Sequence, residues 1–253
     1  MKNTENLRDN ANFAVPVGKN IIWVPYNVLG KTKWTNDELR EINNLSADEI
    51  KKHITVPYEI AQFVQANQYK KQVDIKFINL SGKKWELHRN GKSVLNKKKG
   101  CCSTYASLFH FLLSDNFCDI FNLCFVANDG WGHALNYIKL SGHYYFFDIS
   151  AQICEYVHFI PVETGIKADF AKRRIVTGCC FKANTVNDFV AFFLKYQRLS
   201  KNGRNFVFYS TSTTSIPPIC IQKKELYTTI NMKRKDIFSI HIVTGDKIRL
   251  NLF

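Results

Sequence analysis

The sequence predicts a mixed α+β fold in which one apolar helix is followed by an antiparallel sheet. Three observations carry that expectation. From Cys102 to Ser114 the apolar positions Tyr105, Leu108, Phe109, Leu112 and Leu113 follow helical spacing, with small Ala106 where close packing is needed and one side of the helix expected to be buried. The segments DIFNLCFVAN, HALNYIKL and HYYFFDIS then read as three strands, the last two joined by a tight Ser141-Gly142 turn. Finally, 253 residues that are 45% hydrophobic and 14% aromatic can bury a substantial core, which excludes disorder as the main state.

Taken in order, residues 1–34 read as an irregular arm punctuated by Trp23, Pro25, Tyr26 and Trp34. Ser46 and Glu49 have the spacing of a capping box, and EIAQFVQANQY puts Ile60, Phe63 and Val64 on one face, so two helices are expected between 46 and 69. The lysine-rich stretch Ser81 to Lys99 reads as an exposed loop or short hairpin leading to Gly100. Beyond the meander, NDFVAFFLKYQ reads as a helix, NFVFYSTS as a strand and the last residues as a hairpin, with Pro217-Pro218 the main break. No linker-like boundary or internal repeat interrupts the chain. The expected organisation is one domain over 1–253, with an N-terminal arm and helix at 1–55, a catalytic core at 56–160, and a helix and strands at 161–253 completing the fold.

Composition narrows the partners. With 35 Lys+Arg against 21 Asp+Glu the net charge is +14, which favours anionic surroundings. The lysine clusters at 97–99, 172–174 and 233–235 read as solvated faces, and no nucleic-acid motif accompanies them, so nucleic acid is not an expected partner. The longest uncharged apolar runs fall short of the roughly 20 residues of a membrane helix, so no transmembrane segment is expected. The first residues lack a secretory apolar stretch; the chain as written starts in the cytoplasm, with export by a signal-independent route left open. Eight cysteines without any C-x-x-C unit suggest thiols rather than a disulfide scaffold or a zinc site, and no metal or cofactor is expected.

The chemistry gathers around one cysteine. Cys102 follows Gly100-Cys101 at the first turn of the predicted helix, where unpaired N–H groups and the positive dipole end favour a thiolate. His133 opens a strand and Asp148 closes the next. Counted outward from the Ser141-Gly142 turn the two are out of step by two residues, a mismatch that a bulge or a diagonal pairing would absorb. A thiol, a base and an acid that orients the base form the arrangement of acyl-transfer catalysis.

These residues carry a resemblance. Gly100-Cys-Cys102-Ser-Thr-Tyr105-Ala106-Ser-Leu108-Phe109 is similar to the G-x-C-x-x-Y-A-x-L-F nucleophile segment of the transglutaminase-like cysteine enzymes. His133-Ala-Leu-Asn136, a Gly-bearing turn, aromatics and Asp148 resemble their H-A-W-N…D segment, and the match spans about residues 56–150. The resemblance implies a papain-like α+β core with the nucleophile at a helix N-terminus packed on an antiparallel sheet. It also implies a thioester intermediate, with Cys102 as nucleophile, His133 as general base and acid, and Asp148 as orienter. The chain departs from the family at Leu135, where Trp is common, and at Ile149-Ser150, where Pro/Val-Thr is common. Cys101 is a competing thiol. The oxyanion would meet the Cys102 N–H and a second donor drawn from Asn67, Gln68 or Trp85, while Trp131 and Asn136 are candidates for the substrate groove.

The function expected first is a peptidase or amidase acting on a peptide or protein substrate, since water is the default acyl acceptor. A protein transglutaminase or deamidase uses the same chemistry with a different acceptor or substrate. An inactive transglutaminase-like binding scaffold and a basic nucleic-acid binder are the readings from other classes. A reactive Cys102 at neutral pH separates the enzyme from the scaffold, and salt-sensitive binding marks the last.

Overall fold

A computed structural model describes residues 15–72, 76–80, 83–87, 90–127, 132–150, 158–162, 165–169, 179–196, 205–214, 219–220, 237–244 and 247–251. Strands β1 (Val15–Gly18) and β2 (Ile21–Pro25) pair antiparallel and lead into a single 3-10 turn over Tyr26–Leu29. The arm expected to be irregular thus supplies two strands. Its alternation was hidden because Trp23 and Val24 are both buried in succession.

Three short helices follow. Helix α1 (Asn36–Ile42) was not foreseen; its seven residues bury only Leu39 and Ile42, and its signal is the capping box of Thr35 and Glu38. Helices α2 (Ala47–His53) and α3 (Pro57–Ala66) fall where two were expected, with the Ser46–Glu49 box in place. The buried Glu59 carboxylate caps α3, accepting from the Thr55 N–H at 2.7 Å and the Val56 N–H at 3.3 Å. Helix α3 gives way at Gln68, which has φ 51°, to the two-residue strand β3 (Lys70–Lys71). Strands β4 (Lys76–Leu80) and β5 (Lys83–Leu87) then form a hairpin.

The loop expected up to Lys99 contains a helix, α4 (Gly91–Lys97), before strand β6 (Lys99–Gly100). Four lysines between 92 and 99 mask a two-turn segment whose Val94 and Leu95 are buried and whose start is capped by the Asn90 side chain. Lys98 ends it with φ 52°, and β6 pairs in parallel with β3. Helix α5 (Cys102–Leu113) is buried along every face from Ser103 to Leu113, a correction to the one-sided burial expected. Gly91 explains how α4 closes over it: a Cβ there would lie 2.6 Å from both Leu108 Cα and the Ser107 carbonyl oxygen, so only glycine lets the two backbones meet.

The meander behaves as its sequence predicts. Strands β7 (Ile120–Ala127), β8 (Gly132–Leu140) and β9 (His143–Phe147) are antiparallel neighbours, and the β8–β9 turn has positive φ at both Ser141 and Gly142, as a tight hairpin turn requires. The later chain adds β10 (His158–Val162) and β11 (Gly165–Asp169), a separate hairpin, then β12 (Cys179–Ala183), helix α6 (Val186–Tyr196), β13 (Asn205–Thr211), β14 (Ile219–Cys220), β15 (Ile237–Thr244) and β16 (Lys247–Asn251). Nine strands form one antiparallel sheet in the order β1-β2-β12-β9-β8-β7-β13-β15-β16, and β14 joins β5 and β4.

Strand alternation builds two cores. Ile120, Ile138, Tyr145 and Phe147 face α1 to α5, whereas Phe121, Leu123, Phe125, Leu135, Tyr137, Phe146, Phe206 and Phe208 face the Phe-rich side of α6. The Phe146 and Phe189 rings stack at 3.9 Å, locking α6 onto β9. Each fully buried phenylalanine contributes about 1.5–3 kcal/mol by area, which makes the central strands a rigid platform. Among the described residues no helix is long and apolar enough to cross a membrane.

Candidate active site

Cys102 is the first residue of α5, and Cys101 is its N-cap. The N-cap geometry explains why adjacent thiols have different surroundings. The Cys101 N–H donates to Thr104 Oγ1 at 2.8 Å, and the Cys101 Sγ lies 3.1 Å from Ser103 Oγ, so this thiol turns back on its own helix. A Cβ on Gly100 would come within 2.3 Å of Thr104 Oγ1, so glycine is needed for this tight approach. Cys102, half-buried, instead lies near His133, close enough to help raise the imidazole pKa.

His133 is 7% exposed near the start of β8 and lies in register with Phe125. Its Nε2 is 2.7 Å from Asp148 Oδ2, which leaves Nδ1 as the nitrogen available to the thiol. The β8–β9 register runs without a bulge from Leu140–His143 to Asn136–Phe147, so Asp148 sits two residues short of the position opposite His133. The counting mismatch is therefore absorbed by a diagonal contact. Burial by itself pulls the His133 pKa down; the charge of Asp148, its hydrogen bond and then Cys102 outweigh burial and hold it well above the usual imidazole value.

Three further residues position this group. Ser150, 1% exposed, donates to Asp148 Oδ1 at 2.6 Å, so both carboxylate oxygens are engaged and Oδ2 is aimed at the imidazole. Phe193 of α6 stacks on the His133 ring with centroids 5.6 Å apart and planes at 13°. Asn136, offered as a groove residue, is instead 1% exposed, donating to the Ala106 carbonyl at 2.9 Å and to Asn122 Oδ1 at 2.7 Å. It sits three residues after His133 and holds a carbonyl four residues after Cys102, so it fixes the helix against the strand that carries the base. A hydroxyl two residues after Asp148 was visible in the sequence; the stacking of Phe193 had no local signal, because α6 lies more than 50 residues downstream.

The candidates for the second oxyanion donor fare differently. The Asn67 amide donates to the Leu39 and Phe63 carbonyls at 3.1 and 2.9 Å, tying α3 to α1, so it is committed to the fold and not to an oxyanion. Gln68 is exposed at its left-handed turn. Trp131, the Trp85 side chain and the lysine clusters at 172–174 and 233–235 lie outside the described residues. Of the remaining histidines, His110 stands out: it is buried in α5, and burial pulls its pKa down to about 4, outweighing the backbone hydrogen bonds that raise it, with Lys51 a smaller lowering influence. Among the described residues no group of three His, Cys, Asp or Glu side chains is placed to hold a metal ion.

A search of curated proteins and a search of solved structures each return no match to this chain. A family model described as a transglutaminase-like domain matches residues 38–177, a span that runs from α1 through α5, the meander, Cys102, His133 and Asp148 almost to β12. Since that span exceeds half of the chain, this protein belongs to the transglutaminase-like domain family.

Proposed function

We propose that the protein is a cysteine-dependent acyl-transfer enzyme, in its simplest form a peptidase or amidase, built on a papain-like arrangement of α5 against the meander. The observation that carries the reading is one imidazole 2.7 Å from Asp148 whose raised pKa also owes something to the nearby Cys102 thiol. Cysteine-based acyl transfer is the chemistry of the superfamily to which the family model points.

In this reading the Cys102 proton resides on His133, and Asp148 stabilises the resulting imidazolium without taking the proton itself. Sulfur attacks the substrate carbonyl carbon, and negative charge moves onto the carbonyl oxygen. The Cys102 backbone N–H, in the first turn and without an intrahelical acceptor, supplies one donor to that oxygen. The C–N bond breaks as His133 passes its proton to the leaving amine, which leaves a thioester on Cys102. Water then attacks the thioester carbonyl and gives a proton to His133; the C–S bond breaks, a carboxylic acid leaves, and the thiolate–imidazolium pair is restored. Hydrolysis of fluorogenic peptide amides tests the assignment: Cys102→Ala and His133→Ala each abolish turnover, whereas full turnover in either variant overturns it.

A further inference from the structure

Four lysines stand beside the start of the Cys102 helix on a scaffold that fixes them. In the parallel β3–β6 pair Lys70 is opposite Lys99 and Lys71 is opposite Gly100. The Lys70 N–H donates to the Lys98 carbonyl at 3.0 Å and the Gln72 N–H to the Gly100 carbonyl at 2.8 Å. The Tyr105 hydroxyl donates to the Lys70 carbonyl at 2.8 Å, so the ribbon is tied to α5 itself one turn after Cys102. Lys70, Lys97, Lys98 and Lys99 are exposed, and none of the ion pairs among the described residues involves them. Lys99 precedes Cys102 by three residues, a span of at most about 11 Å of extended chain.

Lys98 adds an independent observation. Its φ of 52° places it in the left-handed region at the end of α4, where glycine or asparagine is favoured. A long cation is thus kept where it costs backbone energy, in the middle of a row of like charges that repel one another. Both costs run against a merely solvated face and are offset if an anion binds there.

We infer that this lysine collar selects an anionic acyl donor, a peptide segment with acidic side chains flanking the carbonyl that Cys102 attacks. The inference rests on Cys102 being the nucleophile. Carboxylates on the donor would be drawn toward the collar as the carbonyl reaches the thiol, and salt would weaken the attraction.

The test needs no known substrate. Alkylation of Cys102 is followed by peptide mapping with neutral iodoacetamide and with anionic iodoacetate, and the ratio of the two rates cancels changes in the thiol itself. A unit charge about 12 Å away changes the rate with an anion by about 1.5-fold in water at about 10 mM salt, so replacing Lys70, Lys97, Lys98 and Lys99 with Gln lowers the iodoacetate/iodoacetamide ratio by about fivefold. At about 1 M salt the difference vanishes. The single variant Lys98→Gly lowers the ratio while raising Tm by about 2–4 °C, because it relieves the left-handed strain. A capped heptapeptide with two glutamates on each side of a central glutamine protects Cys102 from iodoacetamide in the native protein and not in the four-lysine variant. A ratio unchanged by the substitutions overturns the inference, as does protection by single-stranded RNA but not by the acidic peptide. A Cys102 inert to iodoacetamide in the native protein overturns the nucleophile assignment instead.

Discussion

Replacing Asp148 with Asn removes charge from the site while keeping its shape. The amide oxygen still accepts from His133 Nε2, so the difference between the two proteins is the difference between a charge-assisted and a neutral hydrogen bond. The first contributes about 1.5–3 kcal/mol and the second about 0.5–1.5, so the variant loses about 1–2 kcal/mol wherever His133 is protonated in the native fold. For a chain of this size about 2–4 °C of Tm accompanies each kcal/mol, which predicts a fall of about 3–6 °C. The pH dependence is the sharper part. Because the folded pKa of His133 is raised, the stabilisation is fully present below the unfolded value of about 6.5 and is lost as pH climbs through the raised folded value. In Asp148→Asn burial, the largest single influence on the ring, is opposed chiefly by Cys102, and the imidazole pKa falls. The Tm gap between native protein and variant is therefore widest below about pH 6.5 and narrows as pH rises through the raised folded value. Scanning calorimetry across that range measures the gap, and proton NMR of the imidazole follows its titration. A gap constant with pH, or a His133 that titrates identically in both proteins, would mean that Asp148 does not hold the imidazole protonated. In a serine triad the same acid-to-amide change costs about 10⁴ in kcat; here a loss on the order of 10²–10⁴ is expected, because in the proposed mechanism a sulfur nucleophile leans less on the acid than a hydroxyl does.

Three further outcomes follow from the packing around the site. His110, with its pKa near 4, stays neutral in the fold and binds a proton on unfolding, so the native state loses about 3 kcal/mol as pH falls from about 6.5 to about 4; His110→Gln flattens this slope in acid titration, and an unchanged slope contradicts it. Gly91→Ala drives a methyl into the Leu108 backbone and costs about 1–3 kcal/mol, seen as a Tm lowered by about 3–9 °C, whereas an unaltered Tm means that α4 and α5 do not meet as described. Iodoacetamide labels Cys102 well ahead of Cys101, whose sulfur is held against Ser103 and Thr104; mass mapping that finds Cys101 labelled first exchanges their roles.

Where local periodicity and turn chemistry agree, the sequence was legible. The strands β7 to β9, the Ser141-Gly142 turn, α2, α3 and α6 all show unbroken alternation, helical spacing or capping residues that need no distant partner. The failures share one cause. Strand β2 and helices α1 and α4 are short, and only contact with β12, with α3 and with α5, respectively, completes the burial that their own residues begin. The same holds at the site. Cys102, His133 and Asp148 were marked by their contexts, and Cys102 was preferred to Cys101 by its spacing to Tyr105 and Ala106; that the Cys101 sulfur turns toward Ser103 and Thr104 at the N-cap, and that Asn136 is buried against the Ala106 carbonyl of another element, had no local signal. Lysines that read singly as solvent-facing became a collar only when β3 and β6 paired 29 residues apart.

The central claim is that acyl groups pass through Cys102 under the control of His133. Its most direct measurement is mass spectrometry of the protein quenched during turnover of a peptide amide panel. The expected result is an acyl adduct on the peptide bearing Cys102 that neutral hydroxylamine removes, no adduct in Cys102→Ala, and none formed on the same timescale in His133→Ala. Turnover that continues in Cys102→Ala, or an adduct that maps to another residue, would contradict it.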